Sequence, residues 1–122
     1  MTWHVQIDFP DPAPRLNLND RLFWATRARY TKAWRHAAFI HGRAHRITRL
    51  HPANVQLILG VRDPQRRRDP SNWMPTAKAC VDGLTDAGYW GDDDSTHVTV
   101  LEPVFTKGTG TRIDITPRET PS

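Results

Sequence analysis

VQLILGVRDPQRRRDPSNWMPTAKACVDGLTDAG, residues 55–88, passes from one hydrophobic periodicity to another. Val55, Leu57, Leu59 and Val61 alternate, as in a strand with one buried face, and Asp63-Pro64 closes the run. Arg66-Arg67-Arg68 then leads directly into Asp69. From about Ser71 to Ala87 the spacing changes to that of a helix, with Ala77, Val81 and Leu84 as its core stripe and Cys80 beside them. Pro75 is tolerated because it falls in the first turn, and Gly88 sits where a C-terminal cap belongs.

Working outward, residues 2–9 alternate with Trp3, Val5, Ile7 and Phe9 on one side, a further strand. Pro10, Pro12 and Pro14 forbid regular structure and open an extended loop from Arg15 to Arg27. Residues 29–48 read as an amphipathic helix. Tyr30, Ala33, Trp34, Ala37, Ile40, Ala44 and Ile47 gather on its inner side, and Lys32, Arg35, Arg43 and Arg46 on nearly the opposite one. His97 to Phe105 and Thr111 to Thr116 are two more strands, joined by the glycine-rich Thr106–Gly110 as a hairpin. The order β-α-β-α-β-β predicts a single α+β domain over residues 1–122. In it two helices cover one mixed or antiparallel sheet of about four strands, with a frayed tail from Pro117 to Ser122.

A chain of 122 residues buries about two thirds of its unfolded surface, enough for a core without staples. The single cysteine, Cys80, excludes an intramolecular disulfide and fits a reducing compartment. No apolar run approaches the ~18 residues of a membrane span, and no signal-peptide pattern opens the chain. The expected location is therefore cytoplasmic, with no membrane partner. The formal charge of +4 conceals an asymmetry: residues 1–68 carry 13 Lys/Arg against 4 Asp/Glu, a balance of +9, and residues 69–122 carry 4 against 9, a balance of −5. A basic half attracts a polyanion, and an acidic cluster beside it can hold cations. Asn19, Arg21 and Arg27 on the loop, Lys32 and Arg35 on the first helix, and Arg66, Arg67 and Arg68 are the candidate phosphate-binding residues.

The carboxylates point to a metal. Asp69 precedes the second helix, Asp82 lies on it four residues after Lys78, and Asp92, Asp93 and Asp94 follow it. If the helix lies against the sheet, these groups flank one surface. Converging carboxylates without thiols suit a hard cation, Mg²⁺ or Mn²⁺. Such an ion assists phosphodiester cleavage by lowering the pKa of water and neutralising developing charge, and Lys78 adds a second positive charge. The bland reading is a solvated acidic turn and an ordinary helix ion pair between Lys78 and Asp82.

The order of these elements resembles the RusA family of Holliday-junction resolvases. Asp69-Pro70-Ser71-Asn72, Lys78, Asp82-Gly83-Leu84, Ala87-Gly88 and Asp92-Asp93 are similar to the family's central motif of Asp-x-Asp-Asn, a lysine, Asp-x-Leu, Ala-Gly and paired aspartates. Leu18-Asn19-Asp20-Arg21 resembles its early Asn-Asn-Arg loop, and Phe105-Thr106-Lys107-Gly108 its C-terminal Thr-Lys-Gly, so the similarity spans nearly the whole chain. The resemblance implies a homodimer that grips a four-way DNA junction and nicks it symmetrically with Mg²⁺, in recombination or repair. It implies Asp69 and Asp93 as metal ligands, Lys78 as the catalytic lysine, Asp82 and Asp92 as further acidic members, and Asn72 and Lys107 on the DNA side. A small member of this kind suits a phage or prophage. Two departures stand out. Trp73-Met74-Pro75 lengthens the spacing from Asn72 to Asp82, and Ser71 replaces the second aspartate with a weak neutral ligand.

Other readings are simpler. His41 and His45 have zinc spacing, but nothing nearby completes a zinc set. His97 is expected at an exposed strand start. Trp73 and Trp90 suit either base stacking or packing, and Cys80 a buried apolar position. Beside the endonuclease stand two alternatives: a resolvase-like module that binds branched DNA with little or no cutting because of Ser71, and a regulatory protein that reuses the fold. The joint presence of Asp69, Lys78 and Asp93 favours the enzyme.

Overall fold

A computed structural model describes residues 4–45, 52–90 and 98–118. Its centre is β2 (Ala53–Val61), the longest strand, which pairs on both edges. On one side lies β5 (Thr111–Pro117), antiparallel to β2, and beyond it β1 (Val5–Phe9), antiparallel to β5. On the other side β3 (Val98–Val100) and β4 (Val104–Lys107) follow one another along the same edge, both parallel to β2. The register aligns three rows across the sheet: Val5–Ile115–Val55, Ile7–Ile113–Leu57 and Phe9–Thr111–Leu59. These nine side chains are all buried, the outcome that the two-residue alternation requires. The architecture is a single α+β domain, with α1 (Trp24–Ala44) and α2 (Met74–Asp86) packed in one core with the sheet. Among the described residues no helix is long and apolar enough to cross a membrane.

Two expectations about the last strands need correction. The stretch expected as one strand from His97 to Phe105 is two strands in its described part, interrupted at Leu101–Pro103. Pro103 has no N–H to give the ladder. The break is bridged instead by Leu101 N donating to Val55 O (2.8 Å) and Gln56 Nε2 donating to Glu102 O (2.8 Å). The expected hairpin is also absent as such, because β2 lies between β4 and β5. The connection crosses directly over β2 at Gly60, where a Cβ would come within 2.8 Å of the Thr109 backbone. Gly108 and Gly110 make the crossing at φ 140° and 81°, conformations that glycine adopts without strain. Arg15 clamps it, donating to the carbonyls of Gly60 and Gly110 at 2.8 Å each.

The first helix begins earlier than its periodicity suggested, and its buried stripe is Trp34, Ala38 and Gly42. Ile40 is about half exposed and Ala44 exposed, contrary to expectation. The cause is the close approach of α2. A Cβ on Gly42 would meet Leu84 at 2.8 Å, and one on Gly83 would collide with the Arg35 carbonyl and the Ala38 methyl. Small residues therefore set the seam, and the bulkier Ile40 is turned away. The expected stripe of α2 is as read: Ala77, Cys80, Val81 and Leu84 are fully buried. Gly88, at φ 91°, completes a Schellman ending in which Gly88 N donates to Thr85 O and Tyr89 N to Leu84 O.

Candidate active site

The segment leaving β2 is held mainly by its own side chains. Asp63 Oδ1 accepts from Gln65 N at 3.0 Å, and Asp63 O accepts from Arg66 N at 3.2 Å. Arg68 braces this turn by donating to the carbonyls of Asp63 (2.8 Å) and Arg66 (3.1 Å), with its guanidinium 5.2 Å from the Phe105 ring centre. Asp69 then starts a single 3₁₀ turn, Pro70–Trp73, that runs into α2. Its Oδ1 accepts from both Ser71 N (3.1 Å) and Ser71 Oγ (2.8 Å), as a helix-capping carboxylate does. Asp69 Oδ2 makes no hydrogen bond among the described residues.

The early loop docks onto this turn. Leu18 N donates to Asn72 O at 2.8 Å. Thr76, fully buried, accepts from Leu16 N and donates to Leu16 O, at 2.8 and 2.9 Å. Docking brings Asn19 to a cleft of about 380 Å³ lined also by Arg66, Arg67, Arg68, Asp69, Asn72 and Trp73. The cleft thus joins one predicted metal-binding carboxylate to five predicted DNA-binding residues from two distant stretches of chain. Arg66, Arg67 and Asp69 are exposed there. Lys107 sits opposite Val61 in the β2–β4 register, at the strand end from which this connection leaves.

Lys78 and Asp82 lie one turn apart on α2, 3.8 Å between charged atoms, with the lysine 57% and the aspartate 28% exposed. Asp92, Asp93, Asp94 and His97 fall outside the described residues. Among the described residues no three His, Cys, Asp or Glu side chains form a group suited to a metal ion. The donors that are described, Asp69 and Asp82, are hard carboxylate oxygens that fit Mg²⁺ chemically.

Not every predicted contact faces outward freely. Arg35 makes a two-pronged ion pair with Asp86 (2.7 and 2.9 Å), and this hydrogen bonding holds the Asp86 carboxyl below its usual range against a smaller opposing effect of burial. Arg27 donates to Asp20 O at 3.1 Å, whereas Arg21 and Lys32 are exposed and make no ion pair among the described residues. Trp90 is buried, with Nε1 on Thr85 Oγ1 at 2.7 Å, which removes it as a stacking surface. Trp73 packs edge-on against Phe105. His41 stacks on Phe9, and among the described residues it belongs to no group suited to a metal ion. Burial pushes the Cys80 thiol far up, so it is no nucleophile at neutral pH.

A groove of about 670 Å³ lies where the Gly108–Gly110 crossing passes β2 and is lined by residues that include Asp8, Asp11, Thr106 and Arg112. It holds none of the predicted site residues. Asp11 is already engaged there by Arg15 (2.7 Å) and Thr111 (2.7 Å). The smaller cleft at Asp69, with exposed cations and a carboxylate oxygen left over, is the better candidate. What sequence reasoning missed is an exposed aromatic pair, Phe23 and Trp24, 68% and 74% exposed at the start of α1. Its signal was the apolar Leu22-Phe23-Trp24 set among arginines. No protein-family model and no curated protein matches the chain.

Proposed function

We propose that this protein is a Mg²⁺-dependent, structure-specific endodeoxyribonuclease of the RusA type, acting on four-way DNA junctions as a homodimer. The observation that carries the reading is the cleft in which Asp69 stands beside Asn19, Arg66, Arg67 and Asn72. Arg66 and Arg67 bind the phosphodiester backbone, and the amides of Asn19 and Asn72 orient it by donating to phosphate oxygens. Asp69, with Asp93 and with Asp82 or Asp92, holds the cation. When bound, Mg²⁺ supplies positive charge at the scissile phosphate and makes water a competent nucleophile at neutral pH. Lys78 adds positive charge for the leaving oxygen. A dimer supplies two such sites, as symmetric nicking of a two-fold substrate requires.

A second reading is a branched-DNA-binding module with little cutting. It is favoured by one contact: Ser71, at the position where the family has an aspartate, donates a hydrogen bond to Asp69 in place of a second negative charge. One experiment separates the two. A synthetic four-way junction is incubated with and without Mg²⁺ and read on a denaturing gel, beside a gel shift, for the parent and for Asp69→Asn. Asparagine caps a helix about as well as aspartate, so the local fold survives the change. The nuclease reading expects paired nicks that require Mg²⁺ and vanish in Asp69→Asn while junction binding persists. Binding without nicks by the parent selects the module, and normal cutting by the variant removes Asp69 from the site.

A further inference from the structure

Phe23 and Trp24 are large apolar side chains left in solvent, with ring centres 5.7 Å apart and planes tilted by 41°. Most of an ordinary surface is free of such pairs, and a pair this exposed marks a contact surface. Its surroundings are cationic. Trp24, Arg27, Ala28, Thr31, Lys32 and Arg35 line a shallow groove of about 480 Å³ along one face of α1, and Arg21 lies two residues before Phe23. No acidic residue stands in the first turn of α1. Aromatic faces set among cations match the chemistry of unpaired nucleotides, which offer flat π-surfaces joined by phosphates. A second copy of this chain is the poorer fit. A two-fold contact through this patch would set Arg21, Arg27 and Lys32 against their own equivalents.

Position supports the same occupant. Phe23 lies only four positions after Asn19 in the cleft, a reach of at most about 14 Å. At about 3.4 Å per step along one strand, that is within roughly four nucleotides. We infer that Phe23 and Trp24 form a stacking platform for bases unpaired at the branch point, so that the strand entering the Asp69 cleft is read by its exposed bases as well as by its backbone. The inference rests on the branched-DNA reading above and names how the branch is told from plain duplex. Arg21 and Lys32 hold the flanking phosphates, and Arg35 contributes less because Asp86 engages it.

The test compares the full chain with Phe23→Ala/Trp24→Ala and with Trp24→Phe. Anisotropy of labelled oligothymidylate, of a blunt duplex of equal length and of a four-way junction gives three affinities, and the junction gel reads cutting. Stacking is lost with the double variant, so oligothymidylate affinity falls about tenfold or more while duplex affinity changes little. Trp24→Phe keeps most of the affinity and loses most of the tryptophan quenching that the oligonucleotide causes in the parent. Both side chains are exposed, and an unchanged melting curve confirms that the variants are folded. Equal losses on single strand and duplex, or no loss on either, overturn the platform even if junction cutting by the parent upholds the nuclease. A shift from dimer to monomer in light scattering of the double variant overturns it in favour of a second copy. A parent that binds no DNA of any shape overturns both readings together.

Discussion

Ser71→Asp is the substitution for which the structure makes the sharpest demand. In the parent, Ser71 places two donors on Asp69 Oδ1, its hydroxyl at 2.8 Å and its amide at 3.1 Å. Aspartate keeps the amide contact but replaces the hydroxyl donor with a carboxylate facing a carboxylate. Losing one hydrogen bond costs about 0.5–1.5 kcal/mol net. Two like charges about 4 Å apart at a wet surface add roughly 1 kcal/mol. Without metal the variant is thus about 1.5–2.5 kcal/mol less stable at low salt, a melting temperature lower by roughly 6–10 °C for a chain of this size. Raising the ionic strength recovers much of the Coulomb part. Mg²⁺ narrows this gap, because a second carboxylate supplies the ligand charge that serine lacks. At ten times its Kd the ion contributes about 1.4 kcal/mol, and the variant reaches that occupancy at lower concentration than the parent. Thermal melts over a Mg²⁺ series read the binding whether or not the protein cuts, and the midpoint of junction cleavage against Mg²⁺ falls in parallel. A melting response to Mg²⁺ identical in parent and variant places Ser71 outside the metal site and leaves the third ligand to Asp82 or Asp92.

Four further outcomes follow from particular contacts. Gly83→Ala drives a methyl into the Arg35 carbonyl and the Ala38 side chain; overpacking of about 1–3 kcal/mol exceeds the helix-propensity gain of about 1 kcal/mol, so the melting temperature drops by several degrees, and a rise contradicts the close seam. Tyr89 is buried and donates its hydroxyl hydrogen to Gly42 O at 2.8 Å, and burial pushes its pKa from 10.0 up to about 12. The unfolded chain therefore loses this proton first, stability falls as pH rises across that window, and Tyr89→Phe flattens the fall in urea midpoint measured against pH. Arg66→Ala with Arg67→Ala weakens binding to DNA of every shape and lowers the slope of log K against log salt by up to about 2; Arg68→Ala instead lowers thermal stability, since its donors brace the Asp63 turn.

The legible part of the fold was what alternation and capping control. The three buried rows, the core stripe of α2 and the Gly88 ending are local patterns, and each stands where its pattern put it. What was not legible depends on residues distant in sequence. Nothing within Thr106–Gly110 tells a tight hairpin from a crossing over another strand; the deciding partner is Gly60, whose missing side chain lets the crossing pass. The face of α1 was misjudged for a related reason. Its apolar residues suit several rotations, and Gly83 on α2 selects the one that buries Ala38 and Gly42 rather than Ile40. In the candidate site, side chains adjacent in sequence, Arg66 to Asn72, stay adjacent in space. The arrival of Asn19 depends on Thr76 and the Asn72 carbonyl, which no motif announces.

The charge asymmetry acquires a different meaning once the contacts are known. The basic half is not a uniform positive face. Arg15 is engaged by Asp11 and two carbonyls, Arg35 by Asp86, and Arg68 by the turn it braces. These guanidiniums hold the structure together and reach a polyanion only at the cost of those contacts. Among the described exposed cations, Arg66 and Arg67 stand at the Asp69 cleft and Arg21 and Lys32 near the Phe23–Trp24 pair, and Arg29, Arg43 and Arg62 are exposed as well. The loop between them is not slack. Leu16 is tied to Thr76, Leu18 to Asn72, Asn19 to Asn17, and Arg27 to Asp20. A loop pinned at both ends fixes the spacing between the Asp69 cleft and the aromatic patch. Preformed spacing of that kind avoids ordering costs on binding. On the branched-DNA reading proposed above, it favours a strand whose paired part meets the cleft and whose unpaired part meets the rings, a combination that a branch point offers and a continuous duplex does not.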